Sequence, residues 1–496
     1  MKIFRTLFTF ISGSLILFSC QSNPEITFKE SDKENYRPEY HFTPSSGWMN
    51  DPNGLFYYEG EYHLFYQYYP DSTVWGPMHW GHAVSPDLVK WEHLPIALEP
   101  DSLGYIFSGS AVVDLDNSSG FGSSERPPIV AIFTYHDAKA AGEGEIDYQT
   151  QGIAYSLNRG RTWKKYEGNP VIANTGDIDF RDPKVTRLQR EDGSSYWNLT
   201  LAVKDEIQFF SSEDLIHWKK TGSFGRNIGA HGGVWECPDL IPMKTESGED
   251  KYVLLVSINP GGPQKGSATQ YFIGDYVEGK FIPDDTMIRW LDYGPDNYAS
   301  VTWDNSSEIN DNPIAIGWMS NWLYAQTVPT LSWRSAMTVA RELSLFDVDG
   351  TYLLKSSPVN TLEDLRKESY TIYESSTLPS QAVEISASVS EGDTFRIVIS
   401  NELGEQVIIS KEMGLVSVDR TNAGNSDFNR EFAALHSAPM SWEAEELTIF
   451  LDAHSLELFI NDGELVMTSI LFPSSAWKTM DFSENLKNVK LFQLQD

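Results

Sequence analysis

The chain has 496 residues, with 70 Asp and Glu against 37 Lys and Arg, a formal charge of −33 and 41% apolar residues. An acidic surface without clustered Lys and Arg excludes nucleic acid and anionic surfaces as natural partners, and is compatible with a neutral ligand such as a sugar. The length favours two domains, each large enough for its own core, and after the first twenty positions no apolar run is long enough to cross a bilayer as a helix.

Residues 1–20, MKIFRTLFTFISGSLILFSC, place Lys2 and Arg5 ahead of a short apolar stretch, the layout of an export signal. The stretch ends in Leu17-Phe18-Ser19-Cys20, which resembles a bacterial lipobox. The reading is a lipidated Cys20 followed by a polar tether over 21–39, hence an exported protein anchored by lipid to a membrane, the outer membrane on its periplasmic or cell-surface face. Cys237 is then the only other cysteine, so no internal disulfide can form and stability must come from packing.

From 40 to 345 the chain alternates short runs rich in Tyr, Phe, Trp, Val and Ile with Gly, Pro, Asn and Asp, an all-β pattern. Near its start stands WMNDPNG, residues 48–54. Taken alone, this run is turn chemistry: Pro52 fixes its own φ and biases Asp51 toward extended backbone, while Gly54 is free to adopt φ > 0. A phrase of Ser, turn and Trp recurs at SPDLVKW (85–91), SLNRGRTW (156–163) and SSEDLIHW (211–218). Repetition at intervals of some tens of residues predicts a β-propeller of about five blades. Residues 346–372 read as a polar linker with a possible short helix, and the alternation from 373 to 496 predicts a β-sandwich with a structural or accessory role.

Three carboxylates have unusual surroundings: Asp51 in WMNDPNG, Asp182 in FRDPKV and Glu236 in VWECPDL. A propeller would bring acids from different blades to one central funnel. Two carboxyls facing a glycosidic bond suffice to hydrolyse it, one attacking or steering water and the other protonating the departing oxygen; a third can hold the sugar. Apolar neighbours suit Glu236 to the acid role, and the charge of Arg181 is expected to keep Asp182 ionised. Against this stand plain structural readings, an Asp-Pro turn and a surface Arg–Asp pair.

Together, HFTPSSGWMNDPNGLFYYEGEYHLFYQYYP (41–70), WGHAVSPDLVKW (80–91), FSGSAVV (107–113), FRDPKV (180–185) and WECPDL (235–240) resemble glycoside hydrolase family 32, the invertases, inulinases and levanases. The resemblance implies a five-bladed propeller followed by a β-sandwich, and retaining hydrolysis of β-fructofuranosyl bonds without metal or cofactor. It implies Asp51 as nucleophile, Glu236 as general acid/base and Asp182 as transition-state stabiliser. Sugar contacts would come from Asn50, Gln67, Trp75, Phe107, Ser108 and Arg181, with Trp318 lining the pocket. Ala340 stands where the family usually has Pro, which puts a local turn in doubt, and Cys237 reads as a small packed side chain tuning the acid.

Two metal patterns are set aside. Asp114, Asp116, Ser118 and Glu125 fit a calcium-loop spacing, but Ser119 replaces the required Gly, so a hairpin loop is preferred. His79 and His82 lie three apart on a strand and therefore on opposite faces. The expected substrate is a fructan or sucrose, probed from a chain end; the alternatives are an endo-acting levanase, a fructan-binding lipoprotein without turnover, and an arabinan- or xylan-active enzyme on a similar propeller.

Overall fold

A computed structural model describes residues 36–306, 310–390 and 394–495. The expected signal, lipidated Cys20 and most of the tether lie outside the described residues. Five sheets, each built on four antiparallel strands and three of them with a fifth short strand, follow one another in the chain. Their innermost strands are Gly47–Tyr58, Tyr105–Val113, Phe180–Gln189, Val234–Lys244 and Tyr298–Thr302. Each innermost strand contacts the next, and the fifth returns to the first, which closes a five-bladed propeller. The short strand Trp333–Arg334 pairs in parallel with Gly47–Trp48 and ties the end of the ring to its beginning.

The recurrent Ser-turn-Trp phrase is one device used three times, between the third and fourth strands of blades one, two and three. In blade one, Ser85 Oγ accepts from Leu88 N at 2.8 Å, Asp87 Oδ1 accepts from Lys90 N at 2.8 Å, and Trp91 Nε1 donates to Leu88 O. Ser156, Asn158 and Trp163 repeat the arrangement in blade two, and Ser212, Asp214 and Trp218 in blade three. Leu88, Arg159 and Leu215 all take positive φ in this turn. The side-chain caps supply the hydrogen bonds that hold such backbone in place.

A second regularity positions the site. Every innermost strand carries a β-bulge at the same level of the ring. Asp51 is extra between paired Asn50 and Pro52; Phe107 and Ser108 bulge between Ile106 and Gly109; Asp182 and Pro183 between Arg181 and Lys184. Cys237 and Pro238 bulge between Glu236 and Asp239, and Ala299 and Ser300 between Tyr298 and Val301. The ladder loses a backbone N–H at these points, and the innermost strands of blades three and four are sheet edges, which is why Pro52, Pro183 and Pro238 are tolerated there. Asp182, Cys237 and Ala299 adopt φ of 62°, 47° and 54°.

Five tryptophans, Trp48, Trp80, Trp235, Trp318 and Trp333, are fully buried in and between the blades. Each removes roughly 200 Å² from water, worth about 5 kcal/mol before conformational entropy is counted. Asp114 serves a loop: its two oxygens accept from the backbone N–H and hydroxyl groups of Ser118 and Ser119 at 2.7–2.9 Å, while Asp116 pairs with Arg187 and Glu125 is exposed. His82 is buried against His63 at 3.0 Å, whereas His79 bonds to Pro77 O, so the two side chains part as expected.

The expected linker needs correction. Arg341–Val348 and Thr351–Pro358 are the outer strands of blade five, the short 3-10 helix is Asn360–Leu365, and Arg366–Thr371 already belongs to the second domain. Outer blade strands are half-solvated, so TYLLKSSP carries polar residues that imitate a connector. Ala340, at the doubtful turn, is buried with its carbonyl accepting from Val359 N. Two six-stranded sheets then pack face to face over an aliphatic core, a β-sandwich.

A buried ionic seam joins sandwich to propeller. Arg341 of blade five donates to Asp292 at 2.9 Å and to Glu457 of the sandwich at 2.5 Å, and Arg420 of the sandwich pairs with Asp296. His41 bridges Asp452 and Glu457 at 2.8 and 2.9 Å. Burial lowers the His41 pKa, but the hydrogen bonds and charges of both acids outweigh it and raise it to about 9. A folded pKa above the unfolded value of 6.5 gives stability that is complete below pH 6.5 and lost as pH rises through about 9, on the order of 3 kcal/mol. Denaturant unfolding at pH 6, 8 and 9.5 should therefore show falling stability, and His41→Gln should flatten that slope.

Candidate active site

The bulges turn side chains from the starts of the innermost strands into one cavity of about 380 Å³ at the propeller mouth. Asn50, Asp51 and Gln67 come from blade one, Phe107 and Ser108 from blade two, Arg181 and Asp182 from blade three and Glu236 from blade four, with Trp75 on the loop after blade one's second strand. Nine of the ten expected site residues thus share the cavity. Trp318 does not line it: its ring is fully buried against Trp48, Trp322 and Tyr298, and Trp322 is the aromatic side chain that reaches the cavity. His136, Tyr148, Gln149, Asp179, Val234 and Asn259 complete the wall.

Glu236 is held at both oxygens. Arg181 donates from Nε and Nη2 to Oε1 at 3.1 and 3.0 Å, and the Tyr298 hydroxyl donates to Oε2. Asp182 Oδ2 accepts from Cys237 N at 3.0 Å, and its own N–H donates to Thr134 Oγ1. Cys237 Sγ lies 3.6 Å from Asp182 and 4.0 Å from Asp51. The thiol therefore packs between the two aspartates rather than against Glu236, and burial pushes its pKa up, which leaves it an inert filler.

Burial pushes the Asp51 carboxyl up to about 8, with the charges of Glu236 and Asp182 adding to it and the Asn50 amide opposing. Burial also raises Asp182, to about 6, with Arg181 pulling the other way. As expected, the Arg181 charge favours the ionised form of Asp182, but burial outweighs it, and it acts through space: the guanidinium's hydrogen bonds go to Glu236 and to Asp179, the latter at 2.6 Å. The two buried aspartates, both raised, hold a proton into the neutral range and titrate as an interacting pair. Acid-assisted cleavage needs one anion and one proton, which three close carboxyls hold ready.

Among the described residues, Asp51 Oδ1 and Gln67 Nε2 are buried polar atoms with no protein hydrogen-bond partner. Each costs about 1–3 kcal/mol when left so, a cost that a ligand hydroxyl removes. Around them Trp75 and Phe107 meet edge to face, and Phe107 stacks on His136 with centroids 4.3 Å apart. Apolar ring faces beside a few convergent polar groups suit a sugar. Tyr298 and Asp179 were missed from sequence; only the recurrence of a bulge in blade five marks Tyr298, and only its place two residues before Arg181 marks Asp179.

Comparison with known proteins identifies the family. The N-terminal domain of glycosyl hydrolases family 32 matches residues 41–357, and the family's C-terminal domain matches 353–495. A levanase of Bacillus subtilis is 43% identical over 93% of this chain and 70% of its own. An invertase of Schizosaccharomyces pombe is 38% identical over 88% of this chain and 80% of its own. The crystal structure of an exo-inulinase from Aspergillus awamori superposes with a TM-score of 0.84 at 34% identity, covering 93% of this chain and 98% of that one. The chain belongs to glycoside hydrolase family 32. It is a glycoside hydrolase of the five-bladed propeller and β-sandwich type.

Because Asp51 has a folded pKa above its unfolded one, its contribution to stability is complete below the unfolded value near 4 and lost as pH rises through about 8. Asp51→Asn should accordingly raise the Tm at pH 8 and leave it nearly unchanged at pH 4, measured by calorimetry. Equal shifts at both pH values would contradict the burial account.

Proposed function

We propose that this protein hydrolyses β-D-fructofuranosyl linkages of fructans such as levan and inulin, or of sucrose, from a chain end and with retention. The observation that carries this reading is the convergence of Asp51, Asp182 and Glu236 in one cavity with Arg181 and Tyr298 on Glu236. Levanase, exo-inulinase and invertase relatives support the substrate class.

In the first step a carboxylate oxygen of Asp51 bonds to the anomeric carbon as the bond to the leaving oxygen breaks, and the proton of Glu236 passes to that oxygen. Asp182 holds ring hydroxyls and offsets the positive charge that develops at the anomeric centre. In the second step Glu236 takes a proton from water, the water oxygen replaces Asp51 at the anomeric carbon, and Asp51 leaves as the carboxylate. Asn50, Gln67, Trp75, Phe107, Ser108 and Arg181 shape the fructosyl site. All five blades contribute to the cavity wall, and a pocket walled all round favours a chain end over an internal segment. An endo-acting levanase would need an open groove instead. Two relatives described as extracellular exo-inulinases support export, and the lipobox-like Leu17–Cys20 supports a lipid anchor at Cys20.

Asp51→Asn and Glu236→Gln should each lower fructose release from levan, inulin or sucrose by about a hundredfold or more. The product assay on levan should give free fructose from the earliest times. Near wild-type rates in either variant would overturn the assignment, oligosaccharide products the chain-end mode, and binding without turnover would favour a capture protein.

A further inference from the structure

The wall of the cavity contains a carboxylate that the three-acid scheme does not use. Asp179 precedes the innermost strand of blade three and sits at φ 55°, a left-handed conformation that costs an ordinary side chain energy and that Asp and Asn tolerate. Its carbonyl accepts from Lys204 N at 3.3 Å. One oxygen, Oδ1, accepts from Arg181 Nη1 at 2.6 Å and from the Tyr148 hydroxyl at 3.3 Å. The opposite edge of the same guanidinium, Nε and Nη2, meets Glu236 Oε1. The side chains of Asp179, Arg181 and Glu236 are 20%, 12% and 18% exposed, so water competes weakly for these contacts.

We propose that Asp179 is a positioning residue for Glu236: it clamps the Nη1 edge of Arg181 so that the Nε–Nη2 edge meets the acid/base at a fixed distance and angle. This rests on the reading of Glu236 as the acid. An arginine side chain is long and flexible, and its planar fork confers direction only when one edge is fixed. Glu236 faces Arg181 and Tyr298 directly, with the Asp51 and Asp182 charges behind it. With Asp179 removed, the guanidinium keeps Glu236 as its hydrogen-bonded acid and swings toward it, favouring the carboxylate over the proton-carrying form. The loss falls chiefly on proton delivery to the leaving oxygen.

The test uses Asp179→Gly, which deletes the carboxylate at a position where glycine relieves the backbone, and Asp179→Asn, which keeps an acceptor oxygen for Arg181. Substrates are sucrose, whose leaving group needs a proton, and β-D-fructofuranosyl fluoride, whose leaving group needs little help. Asp179→Gly should lower kcat/KM on sucrose by about tenfold or more while changing that on the fluoride less than about threefold, and Asp179→Asn should recover most of the loss. The alkaline limb of the sucrose pH profile should move to lower pH in the glycine variant. Equal losses on both substrates, or an unmoved pH profile, would overturn the proposal. Glu236→Gln measured alongside separates the two claims: if it still hydrolyses sucrose while retaining its fold, the reading of Glu236 itself fails.

Discussion

The ring of five β-bulges is the constraint on which this site depends. In a regular strand, alternate side chains point to opposite faces, and consecutive residues cannot both serve one cavity. The extra residue in each innermost strand breaks that alternation at one height, so Asn50 and Asp51, Phe107 and Ser108, and Arg181 and Asp182 all reach the same space. The rest of each blade pins the bulge. Pairing resumes on both sides of it, and the next strand outward is itself paired on its far edge. Function thus sits on rigid strands rather than on mobile loops, which is how carboxyls from three blades hold a common geometry.

Rigidity is needed because the site is electrostatically costly. Burying three acids in one cavity raises two of them well above the ordinary carboxylate range, and the fold must be stable enough elsewhere to tolerate that. The stabilising side is visible in the buried tryptophans, in the sandwich core and in the seam around His41, Arg341 and Arg420. Through that seam the sandwich braces blade five, the blade that supplies Tyr298 to Glu236 and Trp322 to the cavity wall. An accessory domain with no acid of its own in the cavity therefore still bears on the chemistry.

How much of this was legible in the sequence follows from where each signal resides. Strand alternation and the Ser-turn-Trp phrase are local, and they disclosed an all-β propeller because the same caps recur in three blades. Proline one or two residues after an acid looked like turn chemistry; it marks a bulge, an equally local feature whose partner strand the sequence does not name. Trp318 and Trp322 lie four residues apart at the end of a strand and both pack on Trp48; Trp318 is sealed in by Tyr298 as well, which leaves Trp322 to face the cavity. The outer strand Thr351–Pro358 read as a linker since its residues are only partly buried. Arg181 was linked to Asp182 by adjacency, and its charge does act there, but its ion pairs go across blades to Glu236 and back two residues to Asp179.

The central claim is that Asp51, turned inward by its bulge, forms a covalent bond to the sugar opposite Glu236. Mixing the Glu236→Gln variant with β-D-fructofuranosyl fluoride permits the first step, since fluoride leaves without strong acid assistance, and starves the second of its base. Rapid quenching and mass spectrometry should then find one fructosyl unit per chain, located on the peptide that contains Asp51. Label on Asp182 or another carboxyl, or hydrolysis of the fluoride with no covalent adduct at any time, would contradict the account.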